Sequence, residues 1–200
     1  MADRYESFAE LAARETADRD YRIRAIERQG SAVLVLAPHG GSIEVGTSEL
    51  AELVAGTEHS LFLFEGLKSC GSSRDLHITS HRFDHPQCIA LGSSHDVILA
   101  IHGCRGDSHV YVGGLDAKLT ALLSSHLAAA GVTASLEGHG YPGRHPLNIC
   151  NRSARGRGAQ LEITNDLRTG ARPVIAATIR AALADYLESA DASSLRASCN

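Results

Sequence analysis

The chain has 200 residues, 44% hydrophobic and 21% charged, with a formal net charge of −4 when histidine is neutral. That length suits one globular domain whose core needs no covalent staples, and the composition excludes a mainly disordered chain. The mild negative charge encodes no general attraction to nucleic acid, so no such partner is expected.

In chain order, residues 8–14 read as a short helix and 21–26, alternating apolar and basic, as a half-exposed strand. Residues 32–37 form a continuous apolar run ended by Pro38, the pattern of a strand buried on both faces. Ser48 is placed to cap a helix running to about Ala55, with Gly56 at its end. Residues 60–65, 97–101 and 110–112 read as further strands. Leu115, Leu119, Leu122, Leu123 and Leu127 share one helical face, and Gly131 stands where that helix should end. Residues 133–137 and 160–164 are strand-like. Pro173 then opens a last helix with Ile175, Ile179, Leu183, Tyr186 and Leu187 in an apolar stripe. Strands alternating with helices predict an α/β fold, a largely parallel or mixed sheet flanked by helices. A single domain over 1–190 is expected, with a flexible Ser- and Ala-rich tail over 191–200.

The longest apolar runs fall far short of a membrane span, and the polar, acidic opening residues contain no secretory h-region. The five cysteines are odd in number, scattered and without a CxxC pair, which predicts reduced thiols and a cytoplasmic setting. A monomer without membrane contacts is expected. Eleven histidines in a chain without tryptophan raise the prior for a metal site.

Two of those histidines follow directly on buried strands: His39 in Pro38-His39-Gly40-Gly41-Ser42-Ile43-Glu44, and His102 in Ile101-His102-Gly103-Cys104. Ligand sites in open α/β sheets gather at the carboxyl ends of strands. If these strands are parallel neighbours, both imidazoles can meet at one ion. Glu44, five residues after His39, could not share a ligand position with it on a regular helix, but a tight turn at Gly40-Gly41 could fold it back. Two imidazoles and a carboxylate with an open fourth position form the ligand set of a catalytic Zn2+ site. Each string alone also reads as an ordinary strand-end loop; their joint occurrence favours the metal.

A hydrolytic site of that kind needs a general base, and Glu162, isolated between Leu161 and Ile163, is the candidate. Facing solvent on an edge strand is the alternative. Arg152, Arg155 and Arg157 precede that strand, after Arg144, and Arg168 follows it. They are candidates for binding substrate carboxylates, with a solvated loop as the equal alternative. His77, His81 and His85 fall in a long loop over 76–86, where His77 is the candidate for substrate contact. Cys104 beside His102 reads as an inert buried thiol, not a nucleophile.

Taken together, these residues resemble the poly-γ-glutamate hydrolases of bacteriophages and their bacterial relatives. The resemblance rests on the two histidine segments, Asp75-Leu76-His77-Ile78-Thr79-Ser80, Phe83-Asp84-His85-Pro86, Val112-Gly113-Gly114-Leu115-Asp116 and Gln160-Leu161-Glu162-Ile163, in order from about 30 to 170. It implies a fold like that of zinc carboxypeptidases, zinc on His39, Glu44 and His102, and Glu162 as general base. It also implies hydrolysis of γ-glutamyl amide bonds in a polyanionic glutamyl polymer. Carboxypeptidases space their first His and Glu as HxxE, and the spacing here is longer, so their specificity residues do not carry over. Two alternatives remain at this stage: an amidohydrolase of small, cell-wall or N-formylglutamate compounds, and a non-catalytic binding domain of phage origin. The intact Glu162 speaks against the second.

Overall fold

The computed structural model describes residues 3–197, and side chains as far as 189. Its strands are β1 (Tyr21–Ile26), β2 (Val33–Gly41), β3 (Ser60–Gly66), β4 (Val97–Cys104), β5 (His109–Gly114), β6 (Thr133–Ser135) and β7 (Ala159–Thr164). The helices are α1 (Phe8–Ala12), α2 (Thr47–Ala55), α3 (Ser72–Asp75), α4 (Pro86–Ser94), α5 (Ala117–Ala129), α6 (Asn165–Gly170) and α7 (Arg172–Ala197). The strands form one seven-stranded mixed sheet in the order β1-β3-β2-β4-β7-β5-β6. β3, β2, β4 and β7 run parallel, while β1 and β5 are antiparallel to their neighbours β3 and β7.

The central strands are buried on both faces, which is why their sequences read as unbroken apolar runs. Val33, Val35, Leu61, Leu99, Ile101, Leu161 and Ile163 face a layer made by α2, α5 and α7. Leu34, Leu36, Phe62, Phe64, Ile98 and Ala100 face the other way, onto Leu76, Ile78, Phe83, Cys88 and Ile149. The chain leaves β2 for β3 on one side and returns to β4 on the other, so strand order reverses between β2 and β4. Their carboxyl ends therefore open a crevice where ligands bind in such sheets.

Several boundaries differ from the sequence reading, each for a local reason. β2 does not stop at Pro38 but runs to Gly41, because a bulge between Ala37 and Gly40 accommodates the proline. The N-cap of α2 is Gly46; Ser48 instead accepts the Gly41 N–H through its hydroxyl. Residues 86–94 form α4, with Pro86 in its first turn, so the loop expected over 76–86 is followed by a helix the sequence reading did not foresee. The α7 backbone is helical to Ala197, past the expected start of the tail, and residues 198–200 lie outside the described residues. Among the described residues, no helix is long and apolar enough to cross a membrane.

Candidate metal centre and active site

Plain alternation along β2 would send His39 to the α2–α7 face, together with Val33, Val35 and Ala37. The bulge places Pro38 and His39 opposite one residue of β3, and so turns His39 to the other face. His102 already points there, two and four residues beyond Ala100 and Ile98. The Glu44 N–H donates to the His39 carbonyl at 3.0 Å, closing the turn that brings Glu44 back beneath the imidazole. That turn depends on its glycines. Gly41 has φ +61°, and a Cβ on Gly40 would lie 2.2 Å from the Ser48 hydroxyl oxygen.

The result is a convergence of ring nitrogens and a carboxylate. His39 Nδ1 lies 3.1 Å from Glu44 Oε1 and 3.1 Å from His102 Nδ1, and His102 Nδ1 lies 3.9 Å from Glu44 Oε2. His39 Nε2 is 2.9 Å from the Ile78 carbonyl, which can only accept, so that nitrogen carries a proton and Nδ1 is the ring nitrogen left to face the cluster, free to offer its lone pair to an ion once its own proton is given up. Glu44 Oε2 also accepts the Gly103 N–H at 2.7 Å, which fixes the carboxylate against β4. Ligands held tetrahedrally at about 2.0–2.1 Å from an ion sit roughly 3.3 Å apart, close to the separations present here.

His77 offers another grouping with His39 and Glu44, their ligand atoms lying within 4.8 Å of one another. Its geometry is less suited to ligation. The His77 ring stacks on that of His39 at 4.1 Å and 30°, so the in-plane lone pairs run side by side, and Nδ1 lies 2.7 Å from the Asp3 carboxylate.

Glu162 lies directly across from His102 in the β4–β7 register and on the same sheet face. Both line one cavity of about 240 Å³ with His39, Glu44, Ser80 and Tyr141. Burial first, and then the charge on Glu44, push the Glu162 carboxyl up to about 8. Glu44 behaves oppositely: burial opposes its charge, but His39, His102 and the Gly103 N–H hold it down at about 2. Burial lowers His102 to about 3, reinforced by the charge on His39. Burial also pulls His39 down, yet the facing Glu44 outweighs it and raises this imidazole above its ordinary value. Two carboxyls displaced in opposite directions in one cavity are chemically distinct, one held ionised and one held protonated to higher pH.

The arginines are placed differently from the expectation. Arg152, Arg155 and Arg157 lie in the turn leading into the amino end of β7, not at the site. Ala154 N–H donates to the His95 carbonyl, Arg155 pairs with Asp96 at 2.7 Å and Arg157 with Asp116 at 3.2 Å. Asp96 precedes β4, six residues and roughly 20 Å of strand from His102. Arg168 does lie close by, but its guanidinium is buried and donates to the carbonyls of Val45, Cys104 and Ile163 at 2.7, 3.2 and 2.7 Å. It braces the Glu44 turn against β4 and β7. The Cys104 thiol is pushed up to about 12 by burial and then by Glu162, which suits an inert role. His81 and His85 part company. His85 packs against Phe8 and Phe62, whereas His81 borders the site. Ser80 and Tyr141 were not foreseen; the glycine-rich run Gly138-His139-Gly140-Tyr141-Pro142-Gly143 was the available signal of a functional loop.

A model of the family described as poly-gamma-glutamate hydrolase matches residues 5–171. The SPbeta prophage-derived UPF0714 protein YoqZ of Bacillus subtilis (strain 168) is 42% identical over 172 residues, which are 84% of this chain and 61% of that protein. The chain thus spans about three fifths of the length of that relative. A bacteriophage poly-gamma-glutamate hydrolase structure superposes with a TM-score of 0.88 at 34% identity, covering 94% of this chain and 99% of the other. A structure described as zinc-free YndL gives a TM-score of 0.83 at 37% identity over 94% and 98% of the two chains. At 13% identity and a TM-score of 0.50, a metallo-carboxypeptidase from Burkholderia cenocepacia shares the fold over 84% of this chain and 61% of its own. The sheet that carries the crevice is therefore of the metallo-carboxypeptidase type, and the chain belongs to the poly-gamma-glutamate hydrolase family.

Proposed function

We propose that this chain is a zinc-dependent hydrolase of γ-glutamyl amide bonds, with poly-γ-glutamate as its polymer. The observation that carries this reading is the meeting of His39 Nδ1, His102 Nδ1 and the Glu44 carboxylate at 3.1–3.9 Å, with Glu162 across the register from His102. His39, Glu44 and His102 would hold the ion; two nitrogens and one oxygen are a donor set suited to zinc. The chemistry zinc supplies when bound is Lewis acidity, towards a carbonyl oxygen and towards water.

The remaining work belongs to the chain. Glu162, with its carboxyl near 8, is poised around neutral pH to take a proton from water at one carboxylate oxygen. It then delivers that proton to the leaving amide nitrogen. Tyr141, at the mouth of the same cavity, keeps its phenolic proton because burial and the nearby acids raise it, so it can donate to an oxygen of the substrate. Unpaired thiols at Cys70, Cys88, Cys104 and Cys150 support a cytoplasmic reading of its setting.

The test is depolymerisation of purified poly-γ-glutamate, followed by size-exclusion chromatography. Chain length should fall with the zinc-loaded protein, stay constant after chelation and fall again on zinc replacement. Undiminished cleavage by a preparation shown to contain no metal would refute the reading.

A further inference from the structure

The cavity that holds the cluster does not end at Glu162. Past Ser80 and Tyr141 it continues into a second space of about 230 Å³, bordered by His81, Arg144 and His145. Among the described residues lining this extension, Glu162 is the one acid. His145 Nδ1 accepts the Leu147 N–H at 3.1 Å, so its Nε2 carries a proton to donate. The His81 ring lies 4.8 Å from that of His145. Arg144 is held by an exposed ion pair with Glu137 at 2.6 Å, a weak tie in water that another carboxylate can replace.

This rim is built, not loose. Gln160 Nε2 donates to the Tyr141 carbonyl at 3.3 Å, and Gly114 N–H to that of Pro142 at 2.9 Å. Asn151 Nδ2 donates to the carbonyls of Gly143 and His145 at 2.7 and 3.1 Å. Asn148 Nδ2 in turn holds Gln160 Oε1 at 2.8 Å. Buried amides thus fix residues 141–145 in place beside the proton carrier before any ligand arrives.

We propose that this extension is an anion subsite, formed by Arg144 and His145 with His81 as its wall. It takes the free α-carboxylate of the residue on the leaving side of the scissile bond. The proposal rests on the function put forward above and names what selects its linkage. In a γ-linked chain the leaving nitrogen is bonded to a Cα that bears a free carboxylate, two bonds away. A group that protonates that nitrogen must therefore have an anion-binding neighbour, and Glu162 lines both cavities. In an α-linked chain the same position carries a neutral amide. The arginines of the 152–157 turn, at the far end of β7, cannot serve this purpose.

The experiment compares kcat/KM of the zinc-loaded protein on a γ-linked glutamyl oligomer and on the same oligomer with its α-carboxylates converted to carboxamides. The wild type should favour the carboxylate form. Arg144→Gln should reduce that preference by about tenfold, the lower range for a hydrogen bond to a charged group, and Arg144→Lys should recover part of it. His145→Asn, which keeps an acceptor for Leu147 N–H while removing Nε2, should reduce it as well. Arg155→Gln is the control and should keep the wild-type preference. Cleavage by the wild type with the preference intact in Arg144→Gln and His145→Asn would overturn the subsite and leave the function standing. Equal losses on both oligomers would overturn it too, since they would indicate a merely structural role. If the wild type cleaved neither oligomer, the function would fall and the subsite with it.

Discussion

Replacing Glu162 by glutamine should separate catalysis, metal binding and stability in one variant. Glutamine keeps the size of the side chain but can neither take nor deliver a proton, so kcat should fall by roughly 10² to 10⁴ while KM changes little. Zinc should remain bound, since the expected ligands are His39, Glu44 and His102. The stability effect runs the other way. In the metal-free fold Glu162 titrates at about 8, against 4.5 for an ordinary glutamate. Between these values the folded chain keeps a proton that the unfolded chain has lost, so stability falls as pH rises from about 4.5 to about 8 and is level above. At pH 7 the gap of 2.5 units, at about 1.4 kcal/mol each, comes to about 3 kcal/mol on the wild-type protein. Glutamine has no such titration. Urea unfolding of chelator-treated wild type and Glu162→Gln at pH 5, 7 and 8 should give curves that diverge with pH, the variant being the more stable. Parallel curves, or loss of zinc from the variant by elemental analysis, would refute the assignment of Glu162 as a buried, metal-free proton carrier.

Other substitutions probe the remaining parts of the site. Glu44→Gln can still accept the Gly103 N–H and face His39, so native circular dichroism should persist, but a neutral amide is a poor ligand and zinc content should fall sharply. Zinc retained at the wild-type stoichiometry would remove Glu44 from the ligand set. Arg155→Ala and Arg157→Ala should leave kcat and KM on the polymer within about twofold, because their ion pairs with Asp96 and Asp116 lie at the far end of the strands; a large rise in KM would contradict that placement. Arg168→Met leaves the carbonyls of Val45, Cys104 and Ile163 without their donor and should cost about 3 kcal/mol, read as a lowered Tm. An unchanged Tm would show that the brace is dispensable.

The parts legible in the sequence were those governed by local pattern. Apolar runs marked β2, β3 and β4 because strands covered on both faces need no polar alternation, and the position of His39 and His102 just after such runs marked the crevice. Gly40-Gly41 signalled the turn that returns Glu44, since only a residue without Cβ fits beside Ser48. The arginines were misplaced because nearness in sequence was read as nearness in space. Along an extended strand, the five residues from Arg157 to Glu162 cover roughly 16 Å. The bulge was invisible, because Pro38 reads equally as a strand terminator and as a tolerated irregularity. Asn148, Asn151 and Gln160 gave no warning of their roles, since what a buried amide does is decided by partners distant in sequence. α4 was missed because its buried face is small, with Cys88, Leu91 and Gly92 at its centre.

The bulge also makes the two ends of the sheet unequal in their tolerance of changes in chain length. Deleting one residue between Ala37 and Gly40 would restore plain two-residue alternation and swing the imidazole of His39 into the α2–α7 layer, on the wrong side of the sheet from His102. Adding one would also shift the Gly40-Gly41 turn away from Ser48. Homologous chains with a centre of this kind should therefore show a constant count of residues from the last apolar position of β2 to the turn acid. In the 152–158 turn the constraints are local: Ser153 is buried and donates to the Arg157 carbonyl at 2.7 Å, a Cβ on Gly158 would collide with the Cys150 carbonyl, and Gly156, at φ +65°, has open space around an exposed tip. An insertion confined to that exposed tip, at residues 155–156, lies at the amino end of β7 and does not reach the crevice at the opposite end of the strands.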